Sequence, residues 1–146
     1  GVMGFGLPAA IGAKAACPDK TVIDIAGDGS IQMNIQELMT AMESNFPVKV
    51  VILNNGCLGM VRQWQELFYD KNYSSTLLEN SPDFIKIAEA YGAKGLKCTR
   101  PDQVDQTLKE GLSFPGTVIM EFKVEEAECV YPMVPAGRAI TEMILV

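Results

Sequence analysis

The sequence predicts an α/β fold of three layers, in which helices cover both faces of a mainly parallel central sheet. Short β-branched apolar runs alternate with segments of helical spacing along most of the chain. This is the pattern of parallel strands joined by right-handed helical crossovers. The first two strand-like runs also end in small polar residues, Gly27-Asp28-Gly29 and Asn54-Asn55. Such residues are typical of the carboxyl edge of a parallel sheet, where ligands bind.

The first half of the chain contains two predicted helices and two predicted strands. In order, they are helix 7–16, strand 21–26, helix 34–46 and strand 48–53. The strand 21–26 is β-branched and apolar, so we expect it to be a buried parallel strand. Asn34 followed by Glu37 resembles a capping box at the start of the second helix, and Pro47 marks its end.

The second half continues the alternation of helices and strands. The predicted elements are helix 60–69, a polar loop over 70–80, helix 83–91, strand 94–98, helix 102–113 and strand 117–124. Ser81-Pro82-Asp83 supplies an N-cap and a first-turn proline for the helix that Gly92 ends. Residues 1–124 therefore form one domain, and residues 125–146 are expected to be an arm or lid of the same domain.

Composition limits the classes of function. The chain of 146 residues is 48% hydrophobic and 21% charged, as expected of one globular domain. It contains no apolar stretch long enough to span a membrane. A net charge of −6 argues against nucleic acid as the main partner. The four dispersed cysteines are expected to be reduced and buried, as in a cytoplasmic protein.

Histidine is absent, which removes the commonest general base and the usual partner of a catalytic serine or cysteine. The chain also opens in the middle of a glycine-rich motif, Gly1-Val2-Met3-Gly4-Phe5-Gly6. Its spacing is G-x-x-G-x-G without a preceding strand, which disfavours a nicotinamide-binding Rossmann domain. Close approach of the backbone to a ligand is the alternative, and the opening in mid-motif suggests a fragment of a longer protein.

Asp28 and Asn55 are the candidate metal ligands. Each follows an apolar strand, a helix lies between them, and both strand ends are expected at the same edge of the sheet. Mg²⁺ takes oxygen ligands, with one or two carboxylates and the rest from phosphates and water. A backbone carbonyl from the loop after Asn55 would complete the protein ligands. Each motif alone is also a turn former, and Asn55-Gly56 is a hairpin signal.

Met60, Val61 and Trp64 follow this loop directly, and Met60 and Trp64 share a helix face. Ordinary core packing is one interpretation of these apolar side chains. Their position next to the predicted metal loop favours the other, in which they form the wall of a small-substrate pocket.

Gly-Asp-Gly-Ser at 27–30, followed by Asn54-Asn55, resembles the signature of the thiamine-diphosphate enzymes. The resemblance implies that Asp28, Asn55 and the backbone carbonyl of Cys57 hold Mg²⁺. Over nearly the whole chain, the sequence is similar to the catalytic subunit of acetolactate synthase. The segments that carry this likeness are 1–12, 53–55, 59–65, 67–69 and 82–90. The implied part is the last of three domains, the one that binds the cofactor diphosphate.

The resemblance also assigns roles to individual residues. The implied cofactor-binding set is Gly1, Met3, Gly27, Asp28, Gly29, Ser30, Asn55, Cys57, Leu58, Gly59 and Met60. Met60, Val61 and Trp64 are implied to border the pocket for the second 2-keto acid. The family often has a different sequence after the Asn pair, and Leu58 stands where a glutamine is common. A backbone carbonyl at Cys57 does not depend on the side chain there.

The implied reaction is the decarboxylation of pyruvate and its condensation with pyruvate or 2-ketobutyrate, in branched-chain amino-acid biosynthesis. An activating glutamate is expected from the N-terminal domain of a second catalytic subunit, and FAD from a central domain, so this chain alone is expected to be inactive. A homo-oligomer, with a possible regulatory subunit, is implied. Pyruvate oxidase, glyoxylate carboligase, a 2-keto acid decarboxylase and a cofactor-binding module kept for assembly are the alternatives.

Overall fold

The computed structural model describes residues 1–145 and contains a single four-stranded sheet. The elements are α1 (Gly6–Ala16), β1 (Ile23–Gly27), α2 (Asp28–Gln32), α3 (Glu37–Glu43), β2 (Lys49–Asn54), α4 (Gly59–Phe68), α5 (Phe84–Ala90), β3 (Lys94–Cys98), α6 (Val104–Ser113) and β4 (Val118–Lys123). Short 3₁₀ turns cover Pro101–Gln103 and Ile140–Glu142. All neighbouring strands pair in parallel, in the order β1-β2-β4-β3. The predicted α/β class and the parallel sheet are confirmed.

Helices cover both faces of the sheet, but unequally. On one face, α1, α3 and α5 pack on a core that includes the fully buried Leu38, Ile52, Phe84 and Ile119. On the other face, α6 packs on β3 and β4, over a smaller cluster that contains Val118 and Met120. Three layers are therefore present, with the second helical layer covering the β3–β4 half.

The β1 strand is buried on one side. Asp24 and Ala26 face the α1 layer and are buried, whereas Ile23 and Ile25 are 47% and 70% exposed. The prediction of a buried strand at 21–26 is therefore wrong for the face of β1 that points away from α1. The cause is the position of β1 at the edge of the sheet formed by residues 1–145, beyond the part that α6 covers.

Two predicted helix starts are also wrong. The helix predicted from Asn34 begins at Glu37, without a side-chain cap, and the Asn34 side chain instead donates to the Gly4 carbonyl at 2.7 Å. The predicted N-cap Ser81 donates to the Leu78 carbonyl, and Asp83 caps α5 by accepting from the amides of Ile85 and Lys86. In both places a polar side chain found a different backbone partner from the one that spacing suggested.

Residues 125–145 pack against α4. The buried side chain of Gln63 donates to the Val130 carbonyl at 2.9 Å and accepts from the Val130 amide at 2.7 Å. Further along, Met133 is buried and forms an antiparallel bridge with Ile144. The predicted arm ends at Val146, which lies outside the described residues, and its role as a lid stays a prediction.

The four cysteines are all unpaired, as predicted. Cys57 and Cys98 are buried, whereas Cys17 is exposed, so the expectation that all are buried is wrong. Across residues 1–145, helices long and apolar enough to cross a membrane are absent.

Asp24 provides a test of the packing between β1 and α1. Its side chain is buried, its Oδ2 lacks a hydrogen-bond partner within residues 1–145, and burial raises the pKa of the carboxyl group. Because the folded-state pKa is raised, this group favours folding at acid pH, and that contribution is lost as pH rises through the raised pKa. We expect Asp24→Asn to raise the free energy of unfolding at pH 7 by about 1–2 kcal/mol.

Urea denaturation of this variant and the parent chain at pH 7 and near pH 4 measures the difference. The gain should shrink at the lower pH, because that pH is closer to the raised folded-state pKa and more of the folded protein then carries a neutral Asp24 carboxyl group. Asp105→Asn, at an exposed position on α6, is the control and should change little. An equal gain at both pH values would show that ionisation of Asp24 is not the cause.

Candidate cofactor site

A cavity of about 440 Å³ is open at the carboxyl edge of the sheet, beyond β1 and β2. Its lining brings together the start of the chain, the β1–α2 junction and the loop between β2 and α4. Every residue of the predicted cofactor-binding set lines this one cavity: Gly1, Met3, Gly27, Asp28, Gly29, Ser30, Asn55, Cys57, Leu58, Gly59 and Met60. Val2, Leu53 and Val61 complete the lining.

Parallel pairing of β1 with β2 explains why these segments meet. Gly27, the last residue of β1, is in register with Leu53, so the residues that follow each strand leave the sheet at the same edge. The Gly56 amide lies near enough to the Asp28 carboxylate to act on its pKa. The Asp28 side chain and the loop of Asn55 therefore converge, as the metal prediction requires.

Asp28 has the properties of a cation ligand. The residue is 1% exposed, and its Oδ2 has no hydrogen-bond partner among residues 1–145. Burial raises the pKa of this carboxyl group, whereas nearby backbone amides and the charge of Lys123 act in the opposite direction. A buried carboxylate oxygen without a partner is costly unless something pairs with it. A bound cation is the partner that the cavity can supply.

The loop after β2 presents further oxygen atoms. Asn55 Oδ1 accepts from the Cys57 amide at 3.3 Å, and Gly56 takes a φ of +70°. The Cys57 carbonyl accepts none of the hydrogen bonds found within residues 1–145. Its neighbours are fixed, because the Leu58 amide donates to Thr76 and the Leu78 amide donates to Gly56. The loop thus contributes one amide oxygen and one carbonyl without a backbone hydrogen bond, from residues that line the same cavity as Asp28.

The thiol of Cys57 is not part of this donor set. It is buried and directed to the Glu126 carbonyl at 3.8 Å, and burial raises the pKa of the thiol above its ordinary value. Residues 1–145 contain no cluster of three or more His, Cys, Asp or Glu side chains that could hold a metal. The oxygens that could hold a cation at this cavity are one carboxylate, one amide oxygen and one backbone carbonyl, a set that suits Mg²⁺ with ligand phosphates better than Zn²⁺.

Two hydrogen bonds hold the start of the chain at the carboxyl edge of the sheet. Ser30 Oγ accepts from the Gly4 amide at 3.0 Å, and Asn34 holds the Gly4 carbonyl. The Ser30 hydroxyl hydrogen stays available for a ligand. Met3 and Leu58 converge over Gly29, where an added Cβ would lie 3.1 Å and 2.7 Å from their terminal methyl groups. The glycine keeps the floor of the cavity open.

A second cavity, of about 580 Å³, adjoins the first. Met60 and Val61 line both, and Trp64 lines the second together with Gln65, Tyr69, Asn72 and Ser74. Met60 and Val61 are 50% and 49% exposed. Core packing is therefore wrong as an interpretation of these two side chains. Trp64 is half-buried and meets Phe68 edge to face at 5.5 Å.

Comparison with known proteins identifies the group to which this arrangement belongs. Residues 1–122 match the family described as "Thiamine pyrophosphate enzyme, C-terminal TPP binding domain". The chain belongs to this family. It spans about a quarter of the length of its curated relatives, because 99% of it aligns with only 26% of the acetolactate synthase large subunit of Haemophilus influenzae, at 49% identity.

Two further proteins, one curated relative and one solved structure, are also similar to this chain. The mitochondrial acetolactate synthase catalytic subunit of Saccharomyces cerevisiae is 50% identical over 99% of this chain and 21% of its own length. Among solved structures, a thiamine diphosphate-dependent 4-hydroxybenzoylformate decarboxylase of Rhodococcus jostii RHA1 superposes with a TM-score of 0.78. The two sequences are 32% identical, and the superposed part covers 84% of this chain and 23% of the decarboxylase chain.

Sequence reasoning missed one group of side chains in this thiamine pyrophosphate enzyme domain. Asn54 Nδ2 donates to Glu121 Oε1 at 2.6 Å, and both residues are 2% exposed. Lys97 and Lys123 lie 3.3 Å and 3.6 Å from the Glu121 carboxylate. One signal for this group was present in the sequence, since Glu121 is an acidic residue inside the apolar run 118–122. A fully buried strand rarely contains a charged residue unless another group pairs with it.

Proposed function

We propose that this chain is the thiamine-diphosphate-binding domain of an acetolactate synthase. The observation that carries the proposal is the cavity lined by Asn55, Cys57 and Asp28, whose Oδ2 has no hydrogen-bond partner among residues 1–145. The identity of 49% to an acetolactate synthase large subunit supports the specific activity. The complete enzyme, meaning this chain together with the N-terminal and central domains, decarboxylates pyruvate and joins it to pyruvate or 2-ketobutyrate.

Each part of the cavity has a role in this proposal. Asp28, Asn55 Oδ1 and the Cys57 carbonyl hold Mg²⁺, which neutralises the cofactor diphosphate in an acidic protein. Gly27 and Gly29 let the backbone approach the phosphates, and the Ser30 hydroxyl donates to one of them. The remaining lining residues, Gly1, Met3, Leu58, Gly59 and Met60, contact the rest of the cofactor. When bound, thiamine diphosphate supplies the electron sink for decarboxylation and carbon–carbon bond formation.

The second cavity is proposed to receive the acceptor 2-keto acid, between Met60, Val61 and Trp64. The assembly is proposed to be a cytoplasmic homo-oligomer in branched-chain amino-acid biosynthesis. A second catalytic subunit supplies the activating glutamate, FAD sits in the central domain, and a regulatory subunit is a further possible partner. Product analysis of the complete enzyme with pyruvate tests the activity, because an acetolactate synthase must form acetolactate.

A 2-keto acid decarboxylase is the second candidate, favoured by the likeness to a decarboxylase structure at a TM-score of 0.78. It would release an aldehyde and carbon dioxide from pyruvate without forming acetolactate. The same product analysis separates the two, since only the synthase joins two keto acids.

Trp64 tests the assignment of the acceptor pocket. We expect Trp64→Leu to change the ratio of 2-ketobutyrate to pyruvate used as acceptor by about 10-fold or more, because the two acids differ by one methylene, which is worth about 10- to 200-fold in an apolar pocket. Competition between the two acids in the complete enzyme measures this ratio. Phe68→Leu is the control, since that ring contacts Trp64 but does not line the cavity. An unchanged ratio for Trp64→Leu would remove Trp64 from the pocket.

A further inference from the structure

We propose that Glu121 is a positioning residue that fixes the metal-binding loop through Asn54. This inference rests on the proposed function, since it concerns the same Mg²⁺ site. Glu121 lies on β4, one of the two inner strands of the sheet, and does not line the cofactor cavity. Its effect on the site is therefore indirect, through a chain of two hydrogen bonds.

The first bond fixes the orientation of the Asn54 amide group. Asn54 Nδ2 donates to the Glu121 carboxylate at 2.6 Å, a short charge-assisted contact between two buried groups. Because the nitrogen is committed to Glu121, the amide oxygen of Asn54 must point the other way. It accepts from the Gly56 amide at 3.1 Å.

The second bond fixes the peptide between the two loop ligands. Gly56 stands between Asn55 and Cys57, with a φ of +70° that bends the loop. The Gly56 amide also lies near the Asp28 carboxylate. A single N–H group, held by Asn54, is therefore adjacent to all three proposed protein ligands. Loss of that bond frees the loop to rotate the Asn55 side chain and the Cys57 carbonyl away from Asp28.

The cost of burying Glu121 supports a role beyond packing. A carboxylate that is 2% exposed is stabilised only if it is paired, and Lys97 and Lys123 supply the pairing from neighbouring positions on β3 and β4. An apolar residue of similar volume would fill the same place without that requirement. What an apolar residue would not supply is an acceptor for Asn54.

The test uses the complete enzyme, four single variants and the double variant of Glu121→Met with Asn54→Ala. We expect Glu121→Met, which keeps the volume and removes the acceptor, to weaken Mg²⁺-dependent binding of thiamine diphosphate by about 10- to 100-fold. Asn54→Ala should do the same, and it guards against misfolding of the first variant. Glu121→Gln keeps an acceptor oxygen and should restore affinity to within about 3-fold of the parent. Glu110→Met removes the partner of Lys94 on the surface and should change nothing in binding.

Isothermal titration calorimetry with Mg²⁺ and thiamine diphosphate gives the affinity, and kcat is measured at saturating cofactor. A positioning role predicts that affinity is lost while kcat stays within about 3-fold of the parent. The double variant should bind no more weakly than the worse single variant, because both substitutions break the same chain of hydrogen bonds. Unchanged affinity in Glu121→Met and Asn54→Ala, or additive losses, would overturn the inference. Asp28→Asn is run in parallel: if it too binds normally, the proposed metal site fails, and not only the role of Glu121.

Discussion

Asp28→Asn in the complete enzyme is expected to weaken Mg²⁺-dependent binding of thiamine diphosphate by about 100-fold or more, which corresponds to roughly 3 kcal/mol. The substitution is nearly isosteric, so the packing at the β1–α2 junction is kept. It removes the one charged side chain of the proposed donor set, whose Oδ2 has no other partner in residues 1–145. Calorimetric titration with Mg²⁺ and cofactor measures the loss.

Asp24→Asn is the matched control for this experiment. Asp24 is the other buried aspartate of the same segment, and it also carries an unpartnered Oδ2, but it does not line the cofactor cavity. Its replacement should leave cofactor affinity unchanged. If Asp28→Asn and Asp24→Asn bind Mg²⁺ and cofactor equally well, Asp28 is not a metal ligand.

The purified chain is expected to form no acetolactate from pyruvate above the uncatalysed background. It contains no histidine, and Asp28 is the only carboxylate that residues 1–145 place on the cofactor cavity, where it is assigned to the metal. General acid–base catalysis requires a group of suitable pKa within reach of the reacting atoms, and no remaining side chain on the cavity provides one. In the proposed enzyme, a glutamate of another subunit's N-terminal domain serves this role.

Acetolactate assays of the chain and of the complete enzyme, at equal concentration with saturating cofactor and Mg²⁺, test this expectation. Circular dichroism of the same sample shows whether the chain is folded, so that inactivity is not mistaken for unfolding. Turnover by the folded chain alone would mean that its own residues supply the missing proton transfer.

The sequence predicted the order of strands and helices because the local signals were consistent. The apolar runs of β1, β2 and β4 are short and bounded by polar or glycine residues, and each helix between them has its own periodicity. The order of the strands in the sheet could not be predicted from the sequence, because the position of β4 between β2 and β3 depends on packing between residues far apart along the chain. The short helix α2, which begins at Asp28 itself, was missed because Gly-Asp-Gly-Ser is locally typical of a turn.

The site was predictable to the extent that it depends on strand ends. Asp28 and Asn55 follow neighbouring parallel strands, so the sheet alone brings their segments together. The supporting contacts were not predictable, because they join residues far apart in sequence. Glu121 and Asn54 are 67 positions apart, and Ser30 meets Gly4 across 26. The role of Asn34 as a helix cap was predicted wrongly for the same reason, because its side chain can bond either to a nearby helix start or to a distant carbonyl.

Mn²⁺-induced broadening of NMR signals tests most directly whether the two strand ends share one cation. Substoichiometric Mn²⁺ is added to the ¹⁵N-labelled chain with excess thiamine diphosphate, and fast exchange makes the method suitable for weak binding. We predict that the Asn55 side-chain amide and the backbone amides of Gly29 and Gly56 broaden first. Broadening confined to the acidic residues Asp102, in the 3₁₀ turn before α6, and Asp105, at the start of α6, or no broadening at the β1 and β2 ends, would contradict the account.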